Sequence, residues 1–164
     1  MLRAFQLRAA RSVCGIGVRD IGLYLGVSGT IVSRWEQKLP LDEITSNATN
    51  PLGLVFFFEQ YKILFPSESS IKFNHPLLEV DCKHITRFQL RAARASFSIS
   101  QSQLAEFTGI PRATINYLEN QDNLTFLNST RKAINDLTIK IFFEKNGILF
   151  PDNLTVQVTS NCSI

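Results

Sequence analysis

The chain has 164 residues, 45 % of them apolar, with a net charge of +3. That length suits one ordinary domain or two small ones, and that composition belongs to folded rather than disordered chains. There is no run of about 18 apolar residues, and MLRAFQLRAARSVCG carries arginines where a secretory leader needs an apolar segment, so a soluble, cytoplasmic protein without a membrane partner is expected.

Three cysteines, Cys14, Cys82 and Cys162, are odd in number and far apart, which suits reduced thiols better than a disulfide framework. Cys82 and His84 make one Cys-x-His pair with no second pair, too little for zinc. Lys and Arg number 8 against 8 acids in residues 1–82 and 9 against 6 in residues 83–164, so the basic excess sits in the second half.

FQLRAAR occupies residues 5–11 and recurs letter for letter at 88–94. Holding the offset of 83, residues 5–36 align with 88–119 without a gap, and 10 of the 32 pairs are identical. Ile21/Leu104, Tyr24/Phe107, Val27/Ile110, Val32/Ile115 and Trp35/Leu118 change letter but stay apolar, as core-facing positions require. At an offset of 85, Phe58, Glu59 and ILFP at 63–66 match Phe143, Glu144 and ILFP at 148–151. Fixed-offset self-similarity of this kind marks a repeated unit.

In chain order, the first copy opens with a helix in AFQLRAARSVC, bends at the GIG of 15–17, and continues through two short helices, the second in SGTIVSRWEQ. NPLGLVFFFEQYK is a further helix, ILFPSESSIKF a strand pair, and NHPLLEVDCKH a connector. In the second copy ITRFQLRAARASF reads as a helix rich in good helix formers. Ser100 is placed to cap QSQLAEFT, Gly109 to close it in the left-handed conformation, and Pro111 to occupy the first turn of PRATINYLEN. NSTRKAINDLTIKIFFEKN gives a longer helix ending at Gly147, and ILFPDNLTVQV two strands around a Pro-Asp-Asn turn.

SQSQLAEFTGIPRATINYLEN closely resembles the helix-turn-helix of phage repressor, Cro and Xre-type regulators, keeping Gln101, Leu104, Ala105, Gly109, Ile115, Leu118 and Glu119. The resemblance extends over residues 3–66 and 86–151 and is weaker in the first copy, where Val18 replaces the favoured Gln and Gly22 the favoured Ala. It implies a mainly α fold of two tandem lambda-repressor-like helix-turn-helix domains, each with a short C-terminal β-hairpin: residues 1–74, a linker at 75–85, and residues 86–164. Arg11 and Glu36 are 25 residues apart, as are Arg94 and Glu119. In similar repressors these positions form a buried ion pair; two independent solvated charges are the alternative.

A recognition helix enters the major groove by its N-terminus. In the second copy this selects Arg112, Ala113, Asn116 and Tyr117, with Thr114 near the sugar-phosphate; Arg112 suits guanine and Asn116 adenine. Gln101 matches a position that commonly binds phosphate in this family, helped by the helix N-terminus. The first copy offers Arg19, Ser28, Thr30, Ser33 and Arg34, and its Gly29 weakens the helix.

The expected function is a sequence-specific DNA-binding transcriptional regulator, a repressor by occlusion, with double-stranded DNA as partner and no cofactor. Two recognition helices in one chain supply what repressors usually obtain by dimerising. Phe56, Phe57, Phe58, Phe142 and Phe143 join the halves, join two chains into a homodimer together with the hairpins, or fill their own cores. No catalytic constellation or small-molecule site is visible, and His75 and His84 both fall in the connector. The alternative reading is a protein-interaction module, antitoxin-like or regulator-binding.

Overall fold

The computed structural model describes residues 1–44, 51–76, 81–130 and 136–162. The first half contains α1 (Ala4–Cys14), α2 (Val18–Leu25), α3 (Gly29–Glu36), α4 (Pro51–Glu59), β1 (Ile63–Ser67) and β2 (Ser70–Phe73). The second repeats that order with α5 (Arg87–Ser96), α6 (Gln101–Thr108), α7 (Arg112–Glu119), α8 (Asp136–Lys145), β3 (Ile148–Leu149) and β4 (Thr155–Val158). A 3-10 turn at Leu127–Ser129 precedes α8. Of the helix expected over 128–146, residues 128 and 129 belong to that 3-10 turn instead, while 131–135, part of the connector at 77–80 and Asn50 before α4 lie outside the described residues.

Six of the seven residues of the twice-written heptad do the same work in both halves, Arg8 and Arg91 being the exception. Phe5, Leu7, Ala9 and Ala10, and their counterparts Phe88, Leu90, Ala92 and Ala93, are fully buried, for α1 packs on α5 and alanine lets the two backbones approach. Gln6 Oε1 accepts from the Arg3 amide at 2.8 Å, capping α1, while its Nε2 donates to the carbonyls of Ser67 at 2.7 Å and Ser70 at 2.8 Å. Gln89 repeats this: Oε1 accepts from the Thr86 amide at 3.0 Å, and Nε2 donates to the carbonyls of Asp152 and Thr155. One buried amide thus satisfies an orphan donor of the helix N-terminus and pins a hairpin turn onto the helix.

The two hairpins share a sheet. Strand order is β1-β2-β4-β3, antiparallel throughout, and β2 pairs β4 with Ile71 facing Val156. Those two residues are counterparts at the offset of 85, and an antiparallel pair centred on equivalent residues is the arrangement a two-fold axis produces. The buried apolar residues form a continuous cluster running through both halves.

Three expectations need correction. The Phe-rich helices do not make the junction: Phe58 meets Phe57 and Phe65, Phe143 meets Phe97, Phe142 and Phe150, all within their own halves. The halves meet through α1 against α5 and β2 against β4, with the ring of Phe73 tilted against that of Phe88, centroids 5.7 Å apart. Tyr24 and Phe107 are not core residues but 47 % and 49 % exposed, each lying on the outside of the following long helix against Phe57 or Phe142. Pro111 sits at the N-cap of α7 rather than in its first turn, since its extended ψ of 136° falls outside the helix.

Candidate nucleic-acid interface

In the second half, Ser100 Oγ accepts from the Gln103 amide at 3.1 Å and starts α6. Gly109, at φ +70°, ends it, a conformation that costs other residues a Cβ clash. The chain turns through Ile110 and Pro111 into α7, which buries Ile115, Leu118 and Glu119. Leu104 supplies the facing core from α6, while Ala105 and Ile110 are half-buried at its margin.

Glu119 closes α7 and is 4 % exposed. Its carboxylate takes both Arg94 Nε and, at 2.7 Å, Arg94 Nη2, in the two-pronged geometry that suits a guanidinium. Arg94 Nη1 reaches on to the Ile99 carbonyl at 2.8 Å, tying down the turn before α6. Gln101 Nε2 donates to Glu119 Oε2 at 2.9 Å and lies 3.4 Å from Asn116 Oδ1. The heads of α6 and the outer face of α7 are therefore braced through one carboxylate.

On that brace, Arg112, Ala113 and Asn116 stand exposed, whereas Thr114, Tyr117 and Gln101 are half-buried. Tyr117 packs against the edge of the core.

The first half has the same frame. Arg11 Nε and Nη2 hold Glu36 Oε1 and Oε2 at 2.6 and 2.9 Å, and Arg11 Nη1 donates to the Ile16 carbonyl at 3.0 Å. Both repeated Arg–Glu pairs are thus ion pairs rather than separate solvated charges. Val18 stands where Gln101 does, so no side chain from the head of α2 reaches Glu36.

Two glycines alter the first helix pair. A Cβ on Gly22 would lie 2.6 Å from the Val27 carbonyl oxygen, so α2 and its turn approach more closely than alanine permits. A Cβ on Gly29 would lie 3.3 Å from Arg19 Cγ. Gly29 is the counterpart of Arg112, and its missing side chain leaves room for the stem of Arg19 over the first turn of α3. Arg19, Ser28, Thr30 and Arg34 are exposed and Ser33 half-buried, which brings all five to the outer side of this helix pair. Sequence reasoning treated Gly29 only as a weak helix former; the partner it accommodates sits ten residues earlier on another helix.

Three of the cations in the second half do not face outward. Arg87 is buried, Arg91 and Arg94 are half-buried, and burial pushes the guanidinium values of Arg87 and Arg91 down. Among the described residues no group of three His, Cys, Asp or Glu side chains could hold a metal, and no helix is long and apolar enough to cross a membrane. His84 instead bonds Asp136 at 2.9 Å, at the head of α8.

A helix-turn-helix family model matches residues 90–128, from within α5 through α7 to the 3-10 turn. That domain type is one of DNA-binding regulators, and the match lies wholly in the second half. Comparison of the chain with curated proteins and with solved structures gives no match.

Proposed function

We propose that the protein is a sequence-specific DNA-binding transcriptional regulator whose single chain offers two recognition helices, α7 and α3, to the major groove. The observation that carries this is the second helix-turn-helix: α7 is locked to α5 and α6 through Glu119, and its N-terminal half exposes Arg112, Ala113 and Asn116. A rigid helix with a free basic side chain in its first turn is what base reading needs.

In this reading Arg112 takes guanine and Asn116 adenine, Asn116 exchanging its long 3.4 Å contacts for a base edge. Thr114 and Gln101 meet the sugar-phosphate, and Tyr117 lends apolar contact beside it. In the first half Arg19 supplies the leading cation, with Ser28, Thr30, Ser33 and Arg34 beside it. Residues 1–74 and 86–164, joined by 75–85, act together through their shared sheet and core, working in the cytoplasm without a cofactor, and occlusion of a promoter makes the protein a repressor. Because the two heads differ, the operator is asymmetric. Selection from random duplexes with the wild type beside Arg112→Ala and Arg34→Ala tests the reading. The wild type enriches one sequence, and each variant relaxes a different part of it. No enrichment at low salt refutes it.

The second reading, a protein-interaction module, draws on the exposed Leu23, Tyr24 and Leu39 of the first half. Salt separates the two. Binding through several phosphates weakens steeply as salt rises, and an apolar protein interface barely responds.

A further inference from the structure

Two buried arginines at the junction play no part in the surface just described. Arg8 Nη1 donates to the carbonyls of Glu36 at 2.5 Å and Lys38 at 2.9 Å, at the end of α3, and Nη2 donates to the Ser96 carbonyl at 2.6 Å, at the end of α5. On the other side of the junction Arg87 Nε donates to the Glu119 carbonyl at 2.8 Å, at the end of α7, and Nη1 to the Val13 carbonyl at 3.4 Å, at the end of α1. Glu36 is the counterpart of Glu119, and Val13 that of Ser96, at the offset of 83. Each guanidinium therefore spans the last residue of one half's recognition helix and the final turn of the other half's first helix, and the pair of carbonyls bridged is the same on both sides.

The bridging residues are not counterparts. At that offset Arg8 corresponds to Arg91, which among the described residues reaches only Ser12 Oγ, at 3.4 Å, and Arg87 corresponds to Ala4. A bridge reached from different positions on the two sides is not a copied sequence feature. It reflects a demand of the carbonyl pair.

Packing alone does not explain the choice. Arg8 is 7 % exposed, and its Nε–H finds no partner among the described residues. Burial pushes both guanidinium values down. An apolar side chain of similar volume fills such a site at lower cost, but it has no direction, whereas the planar fork fixes where two carbonyl-bearing helix ends lie.

We propose that Arg8 and Arg87 are positioning residues that set the separation and angle of α3 and α7, so that one chain accepts one spacing between its two half-sites. This rests on the two-helix DNA reading above. Two linked modules gain from each other only where geometry lets both engage together.

The test uses the full chain and duplex libraries in which the two selected half-sequences are separated by spacers of stepped length. Wild type is run beside Arg8→Met and Arg87→Met, after circular dichroism and thermal unfolding. Wild type enriches one spacer. The methionine variants melt at the same temperature or higher, still enrich each half-sequence, and lose about tenfold of the preference for that spacer over its neighbours. A wild type that enriches no duplex removes the DNA reading itself. A wild type that enriches one half-sequence at any spacing, or folded methionine variants with undiminished spacer preference, overturns the positioning role while leaving DNA binding in place. Should Arg8→Met not fold, Arg87→Met carries the test; if neither folds, the arginines are structural and the proposal is likewise overturned.

Discussion

Glu119 and Glu36 end corresponding helices, yet they are held differently. The Glu119 side chain is 5 % exposed and grips both Arg94 and Gln101, while that of Glu36 is 13 % exposed and grips Arg11 alone. The first half compensates by closer backbone approach: Gly22 lets α2 fold onto its own turn, and Gly29 lets Arg19 lie over α3. One scaffold thus supports two constructions of a helix pair. The second is braced by side chains and exposes Arg112 in the first turn of α7; the first is braced by backbone contact and has Arg19 of α2 over the first turn of α3.

That contrast can be broken most forcefully at the carboxylates. Glu119→Ala strands Arg94 in the interior and is expected to lower unfolding free energy by about 3–5 kcal/mol in urea titration. Glu36→Ala, at the wetter pair, loses about 1–3 kcal/mol. Equal losses would mean the two braces are equivalent. Gly22→Ala forces a methyl against a carbonyl and costs about 1–3 kcal/mol, whereas Ala105→Gly at its counterpart costs about 1 kcal/mol through helix propensity alone. Chemical denaturation of the pair reads the difference. In duplex binding, Arg112→Ala and Arg19→Ala each weaken affinity by about 1–3 kcal/mol, at opposite ends of the operator. An Arg19→Ala protein that binds as wild type removes Arg19 from the reading and leaves the first half to Arg34 of α3.

The smallest effect probes the junction between the halves. Burial pushes the Cys14 thiol up to about 12, so alkylation near neutral pH reaches exposed Cys82 first and Cys14 last. The folded chain keeps the Cys14 proton where an unfolded chain loses it, so stability falls as pH rises from the ordinary 9.0 toward about 12. Loss of Cys14 protection in Arg8→Met would show the junction loosening without unfolding.

Much of the helix-turn-helix of the second half was legible because its signals are local. Ser100 as cap, Gly109 as stop and the spacing of Arg94 and Glu119 each depend on neighbours within one or two helices. The heptad was recognisable as a repeat, but its glutamine's three bonds were not, since two of them reach a hairpin more than sixty residues away. Charge counting misled for a related reason. Composition locates Arg87, Arg91 and Arg94 in the second half but cannot tell a cation that bridges buried carbonyls from one that faces a polyanion. The pairing of β2 with β4 was equally out of reach, because a strand's sequence shows which face is apolar and not which edge it will find. Arg19 escaped notice as the partner of Gly29 because the space it fills is created by an absent side chain.

The shared sheet has a consequence for how the protein is made. Ile71 meets Val156 across 85 positions of chain, so β2 leaves the ribosome with an open edge and keeps it until residues 155–158 emerge. Closing so distant a pair is slow, and an unmatched strand edge invites other chains. A nascent chain paused after residue 76 therefore presents its stickiest form, and separately synthesised halves added to each other should find the same edge and restore the whole.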